Sequence, residues 1–433
     1  MEIDEALRLL NEWWRTGKVK ADLAKGYRRQ AFGEGYGLLE RYREMVVLTG
    51  LRRVGKSTIM YQMIEELLKS AAPSSIVYFT LDYGAVEPVS VLNAYQEISG
   101  VNWKRERIWL FLDEIQKMAG WAEQLKLLYD AFPNVRIVVS GSASLQLERG
   151  AMDSLAGRYF LVEVPVLSIS EYYFLKHGEM PGNVRAHEGE IALEFESYVR
   201  RPFPELAKID DERRISEYIR ESVVSKVINE DLGLEFERVD TALLRALADI
   251  FLAEPGMTLN VDSLSKTLAR RKQEVDRHIY MLEFSKLIRI VRNYRPSRLS
   301  ESRKLRKVYP YDISLALAEN PSIDRGRVLE SLLISRLGIG RYWREGAKEV
   351  DALLADGRKL IPVEIKSADT FREDFVKGLE YFISRFGAER GILLYNGKEM
   401  GVGRVRTANI RRVLIYGLAP ILGECAGAKS AGL

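Results

Sequence analysis

The chain has 433 residues, 47% of them hydrophobic and 29% charged, enough apolar material for several cores and, by length, for roughly three domains. Its 65 basic and 61 acidic side chains nearly cancel to a formal charge of +4, so a surface basic enough to meet nucleic acid has to be local. The single cysteine, Cys425, excludes disulfides within the chain and cysteine-built zinc sites, and no apolar run approaches the ~18 residues of a membrane helix.

The opening residues, MEIDEALRLLNEWW, lack the basic-then-apolar order of a secretory signal, and a cytoplasmic protein is the expectation. Ile3, Ala6, Leu7, Leu10, Trp13 and Trp14 recur at helical spacing. Residues 1–42 are therefore expected to form a helical segment laid against the domain that begins at residue 43, with both tryptophans as packing anchors.

From residue 43 to residue 175, short apolar runs alternate with amphipathic stretches. Strands are expected at Met45–Thr49, Ile76–Leu81, Ile108–Leu112, Ile137–Ser140 and Tyr159–Val164. Continuous apolar strands of this kind suit an α/β fold whose parallel sheet is covered on both faces.

The first of these strands runs into GLRRVGKST, with Gly50, Gly55, Lys56 and Ser57 at the required places of G-x-x-x-x-G-K-[ST]. Ile59, Met60, Met63, Ile64, Leu67 and Leu68 continue it as a helix, giving the strand–loop–helix context in which the motif wraps a phosphate. Glycines let the backbone close around phosphate oxygens, so that amide hydrogens and the positive end of the helix face the anion. The loop residues Gly50, Leu51, Arg52, Arg53, Val54, Gly55, Lys56, Ser57 and Thr58 are thus the expected binding segment for ATP. Lys56 would sit between the β- and γ-phosphates, and the Ser57 hydroxyl would ligate Mg2+. Arg52 and Arg53 fill positions that are variable in the motif, and the sequence leaves open whether they add charge near the phosphates or contact another element.

The strand IWLFLDEIQ ends in two carboxylates. At the carboxyl edge of an open α/β sheet these stand beside the phosphate loop, with Asp113 on the metal and Glu114 polarising the attacking water. Farther on, VRIVVSGSAS ends a strand in Ser140-Gly141-Ser142. It offers a hydroxyl near the γ-phosphate, although a plain Ser/Gly turn accounts equally well for either serine taken singly. Arg158, before the next strand, is ordinarily no more than favourable charge at a helix end.

Together, GLRRVGKST, LDEIQKMAGW, SGSAS and LAGRYFLVEVPVLSISEYY resemble the archaeal and bacterial AAA+-type ATPases that carry a nuclease-like C-terminal domain. The resemblance implies that Ser142 (or Ser140) senses the γ-phosphate. It also implies that Arg158 reaches the nucleotide of a neighbouring subunit, and hence a homo-oligomer.

Residues 176–236, interrupted by the prolines of RPFPEL, are expected to be a helical lid or connector. In residues 237–312, three helical segments precede a short β-like pair, a succession similar to a winged helix whose third helix enters a major groove. Arg270, Arg271, Lys272, Arg277 and His278 open that helix. Arg292, Arg295, Arg298, Arg303, Lys304, Arg306 and Lys307 line the candidate wing. Such a wing supplies phosphate neutralisation to DNA without sequence preference, although winged helices also serve purely as packing modules.

In residues 325–422, Glu330 lies in a helix and Asp351 begins a strand. A turn at Asp356-Gly357 then leads to LIPVEIKSA, which carries Glu364 and Lys366. The hairpin brings these side chains to one face. The helix FREDFVKGLEYFISRF and the strand GILLYN complete an αβββαβ order that resembles the PD-(D/E)xK nuclease fold. The resemblance implies a second candidate metal site at Glu330, Asp351, Glu364 and Lys366, although exposed hairpin charges are also commonly just solvated. The small-residue tail, 423–433, is expected to be disordered.

The sequence thus reads as an ATPase acting on or with DNA through a winged helix and a nuclease-like domain. One alternative is an ATP-dependent switch or scaffold whose nuclease fold is inactive and binds a partner protein. Another is a transcriptional regulator whose output is the winged helix.

Overall fold

In a computed structural model of the protein, residues 2–141, 154–179, 184–296, 305–356, 359–418 and 420 are described. The chain divides into two compact units, one made of residues 1–166 and 226–239 and the other of residues 167–225 and 240–433.

The first unit begins with helix α1 (Ile3–Leu10) and continues through α2 (Gln30–Arg41), β1 (Met45–Thr49), α3 (Lys56–Leu67), β2 (Ile76–Thr80), α4 (Pro88–Ser99), β3 (Ile108–Asp113), α5 (Trp121–Ala131), β4 (Val135–Gly141) and β5 (Tyr159–Glu163). The strands form one sheet in the order β2-β3-β4-β1-β5, and every neighbouring pair in it is parallel. All five residues of β1 and all five of β2 are buried, which is why these runs are apolar without alternation.

The β2 edge of this sheet is covered by the N-terminal segment. The Asn11 side-chain amide donates to the Tyr78 carbonyl at 2.9 Å, and its carbonyl accepts from the Tyr78 N–H at 2.7 Å. One side chain thereby fills a place that a sixth strand would take. The indole N–H groups of Trp13 and Trp14 both donate to the Ile76 carbonyl, at 3.1 and 2.7 Å. The two tryptophans are packing anchors, as their spacing predicts, with their polar atoms spent on a strand edge.

The second unit contains α6 (Ile169–His177), started by a reciprocal capping box between Ser168 and Glu171. It continues with α7 (Thr241–Ala253), β6 (Met257–Leu259), α8 (Val261–Thr267), α9 (Lys272–Phe284), β7 (Ile288–Asn293), β8 (Arg306–Pro310), α10 (Ile313–Glu319) and α11 (Arg325–Arg336). Farther along the chain come β9 (Arg341–Glu345), β10 (Lys348–Val350), β11 (Ala352–Asp356), β12 (Lys359–Ile365), α12 (Lys377–Phe386), β13 (Gly391–Tyr395), β14 (Gly401–Val402), β15 (Val405–Asn409) and α13 (Ile410–Tyr416).

Two five-stranded sheets result, β10-β9-β7-β8-β6 and β11-β12-β13-β15-β14. The boundary expected between residues 312 and 325 does not interrupt the first sheet, because β9 pairs with β7 through Asn293↔Tyr342. Strand β6, between the first two of the three helices, is too short to leave a period in the sequence. Asp351 falls where β10 ends and β11 begins, so that the strand run passes from one sheet to the other at this residue. An aromatic group of Trp343, Phe382 and Phe386, with ring centroids 4.6–5.8 Å apart, anchors α12 to β9. Among the described residues no helix is long and apolar enough to cross a membrane.

Candidate active site

Leu48 lies opposite Ser140 and Thr49 opposite Gly141 across the β1–β4 pair, while Thr80 lies opposite Asp113 across β2–β3. The carboxyl ends of four neighbouring strands are thus level, and the segment Gly50–Gly55 turns over them into α3. Gly55 adopts φ 93°, a left-handed conformation natural only to glycine. At Gly50 the reason is space, since a Cβ there would lie 2.3 Å from the Val164 carbonyl oxygen. The Arg29 guanidinium, only 7% exposed, locks the arrangement by donating to the carbonyls of Val54 (2.7 Å), Pro165 (2.8 Å) and Val166 (3.2 Å).

Lys56, the first residue of α3, is buried. Its ammonium donates to the carbonyls of Gly50 and Leu51 at 3.2 and 3.0 Å, inside the turn where a phosphate chain is held in such motifs. Next to it the Ser57 hydroxyl donates to Asp113 Oδ2 at 2.6 Å. Two further hydroxyls fix the same carboxylate: Tyr78 donates to Oδ2 at 2.8 Å, and Ser140 donates to Oδ1. A serine hydroxyl beside a buried carboxylate is an oxygen donor set that fits magnesium, a small, hard cation.

Glu114 follows in the left-handed region, at φ 57°. A residue other than glycine is uncommon in that region. Its carboxylate accepts from the Gln116 side-chain amide at 2.6 Å. Burial pushes its pKa up, the Lys56 ammonium opposes that shift, and the Asp113 carboxylate adds to it.

Arg52 turns to acidic residues of the returning segment 226–239. Its Nε donates to both Asp231 oxygens at 3.0 and 2.8 Å, and its Nη2 donates to Oδ1 at 2.6 Å and to Glu230 at 3.2 Å. The hydrogen bond to Asp231 raises its pKa above the usual arginine value. Arg53, also in the left-handed region, and Thr58, half-buried in α3, complete the expected segment.

The structure therefore brings Lys56, Ser57, Asp113, Glu114 and Ser140 together. Ser142 lies outside the described residues. Arg158 stands at the foot of β5, paired within the chain to Asp130 at 2.8 Å. Sequence reasoning missed Tyr78, Gln116, Arg29 and Asp231. Tyr78 had a partial signal, since it lies two residues before Thr80, the partner of Asp113, and so on the same face of the sheet. The pairing register needed to use that signal comes only from the fold.

In the second unit, the backbone N–H of Ile365 donates to Asp351 at 2.8 Å. Lys366 lies 2.6 Å from Glu364 and 3.9 Å from Asp351. Glu330 accepts from the Tyr309 hydroxyl at 2.5 Å and lies 3.6 Å from Lys307, which is itself 2.5 Å from Glu349. Burial, with Glu364 and Glu330 nearby, pushes Asp351 well above the usual carboxylate range. Among the described residues no three Asp, Glu, His or Cys side chains are grouped to hold a metal ion.

Several basic residues expected to face DNA are engaged elsewhere. His278 is buried, its Nε2 accepting from the Asp240 N–H at 3.1 Å and its Nδ1 meeting the Glu274 carbonyl at 2.8 Å. The Lys307 side chain, 12% exposed, sits among carboxylates, Arg270 pairs with Asp240, and Lys272 pairs with Asp262. Arg298, Arg303 and Lys304 lie outside the described residues.

Comparison with known proteins places names on the segments. Residues 42–173 match the model of an AAA domain. Residues 175–321 and 328–413 match two domains of unknown function, DUF8612 and DUF4143. The uncharacterized protein MJ1637 of Methanocaldococcus jannaschii is 27% identical over 64% of this chain and 62% of its own. An uncharacterized protein of Haemophilus influenzae is 25% identical over 54% of this chain and 57% of its own. The chain thus spans about three fifths of the length of these relatives. The solved structure of C. elegans PCH-2 is 11% identical, covering 44% of this chain and 52% of that one with a TM-score of 0.26, too slight a likeness to bear on function. The AAA-domain match over 42–173, falling on a parallel sheet with this loop at its carboxyl edge, supports a P-loop ATPase.

Proposed function

We propose that the chain is an AAA+-type ATPase that binds ATP with magnesium at Gly50–Ser57 and hydrolyses it. The observation carrying this is the 2.6 Å contact between the Ser57 hydroxyl and Asp113, directly after the buried Lys56 and directly before Glu114. Ser57 and Asp113 would hold magnesium, which when bound neutralises charge on the phosphate oxygens. Lys56 donates to the phosphates in place of the Gly50 and Leu51 carbonyls. Glu114 orients water and accepts its proton, its position fixed by Gln116. Ser140 supports Asp113 from the neighbouring strand. Lys56→Ala is expected to abolish nucleotide binding measured with a fluorescent ATP analogue. Glu114→Gln is expected to keep binding while phosphate release stops, and normal turnover in that variant would remove Glu114 from the mechanism.

The output is proposed to act on or with DNA. Support comes from the succession α7, α8, α9 and the β7–β8 pair, which resembles that of a winged helix, and from Arg271, Arg277 and Arg292, which are exposed along it. Stimulation of ATP turnover by duplex DNA tests it. An oligomer in which Arg158 meets a neighbour's nucleotide belongs to the same proposal and requires the Asp130 pair to open.

A second reading, a switch or scaffold whose nuclease-like domain no longer cuts, is favoured by Lys307. Its ammonium at Glu349 and near Glu330 supplies from within the protein the positive charge that a metal would bring to those carboxylates. A magnesium-dependent cleavage assay, with Asp351→Ala as control, separates the two readings.

A further inference from the structure

The segment 226–239 is the one part of the first unit that arrives from the far side of the chain, after residues 167–225. It meets the nucleotide site at both of its halves. Arg52, in the phosphate loop, holds Asp231 through a two-pronged ion pair in which Asp231 is 3% and Arg52 20% exposed. The helical turn Leu232–Glu235 lies against the turn Ile115–Lys117, which immediately follows Glu114. Glu230 is held by Arg52 and by Lys226, and the Glu114 carboxylate acts electrostatically on Arg52.

We propose that segment 226–239 reads whether the loop holds a nucleoside triphosphate or diphosphate, and that the Arg52–Asp231 pair is the connection through which it does so. The inference rests on the reading of the loop as an ATP site. A guanidinium presents five donors in a rigid fork. In Arg52, Nε and Nη2 make the bonds to Asp231 and Glu230, and Nη1 takes no part in them. A γ-phosphate oxygen carries charge that competes for the same fork, whereas a diphosphate ends one group short. The triphosphate therefore pulls on Arg52 and changes its hold on Asp231. Because the segment also rests on the turn after Glu114, loss of the γ-phosphate at that end reaches it as well. Both ends of the segment continue directly into the second unit, so a change in its order is passed along the backbone.

The test is hydrogen–deuterium exchange on the intact chain, alone, with ADP and magnesium, and with a non-hydrolysable ATP analogue and magnesium. Nucleotide binding is measured in parallel by calorimetry. Exchange in 226–239 is expected to differ between the two nucleotides by about fivefold or more, the low end of ordinary site-to-site coupling. In Asp231→Asn, and separately in Asp231→Ala, that difference is expected to vanish while both nucleotides still bind. A merely structural pair would instead raise exchange equally in all three states. Equal exchange in 226–239 with the two nucleotides, in a wild-type chain that demonstrably binds both, overturns the inference and leaves the ATP site standing. Failure of the wild-type chain to bind either nucleotide overturns both.

Discussion

The Tyr78 hydroxyl donates to Asp113 Oδ2 at 2.8 Å, on the same oxygen that Ser57 reaches at 2.6 Å. Burial and the Asp113 charge hold the phenol well above its ordinary pKa, so it is a donor at every working pH. Its ring is braced by Tyr61, with centroids 4.6 Å apart, and its backbone is pinned by Asn11. Tyr78→Phe removes a hydrogen bond to a charged acceptor, an interaction of about 1.5–3 kcal/mol. It is expected to raise the magnesium concentration needed for half-maximal ATP turnover by about 10- to 100-fold, as outer-shell changes do. An unchanged magnesium titration would show that the phenol only fills space.

Glu114 supplies a pH prediction. Its pKa is raised, chiefly by burial, so the folded protein holds this proton more tightly than the unfolded chain. Ionising it costs stability, and that cost appears as pH rises through the folded pKa. Glu114→Gln is therefore expected to be more stable than wild type at neutral pH, with the advantage disappearing in acid. Activity has the opposite dependence, since the proton acceptor must be ionised, and turnover is expected to fall on the acid side at a pH above the ordinary glutamate range. Melting curves and pH–rate profiles check the two halves independently.

Gly50→Ala places a methyl 2.3 Å from the Val164 carbonyl oxygen. The obstacle is backbone just beyond the neighbouring strand β5, so no side-chain rotation relieves it. A loss of about 1–3 kcal/mol is expected, together with loss of nucleotide affinity, since the loop can yield only by leaving the strand ends. A denaturant titration read with nucleotide binding checks it.

Lys307→Met strips the cation from between Glu330 and Glu349. Its pKa is raised even though burial works against the charge, because those carboxylates outweigh burial. Breaking a buried pair from one side typically costs about 3–5 kcal/mol, and thermal unfolding of the variant is expected to show a loss approaching that size. A change below about 0.5 kcal/mol would mean that the pair is effectively solvated.

The strand–loop–helix unit and the acidic pair were legible because each is contiguous in sequence and each rests on a local rule. A glycine is needed where φ is positive, a cation where phosphate sits, and an apolar run where a strand is buried twice over. Arg52–Asp231 was not legible, because 179 residues separate the partners and neither carries a local signature. Nor was the fate of His278 or Lys307. Both look like surface base in a basic stretch, and only the pairing of β7 with β8 and β9 turns Lys307 inward. Between α11 and α12 the three strands of the expected αβββαβ order become four, β9 to β12, and the sheet change at Asp351 that divides β10 from β11 leaves no period to read.

Asn11, with the two indoles behind it, does the work of a neighbour along one flank of the parallel sheet. A chain begun after Trp14 would bare the main-chain donors and acceptors of β2, offering a second copy somewhere to add itself strand by strand. The same cut would free Tyr78 at its backbone, so a shortened protein would lose solubility and its grip on the metal carboxylate together.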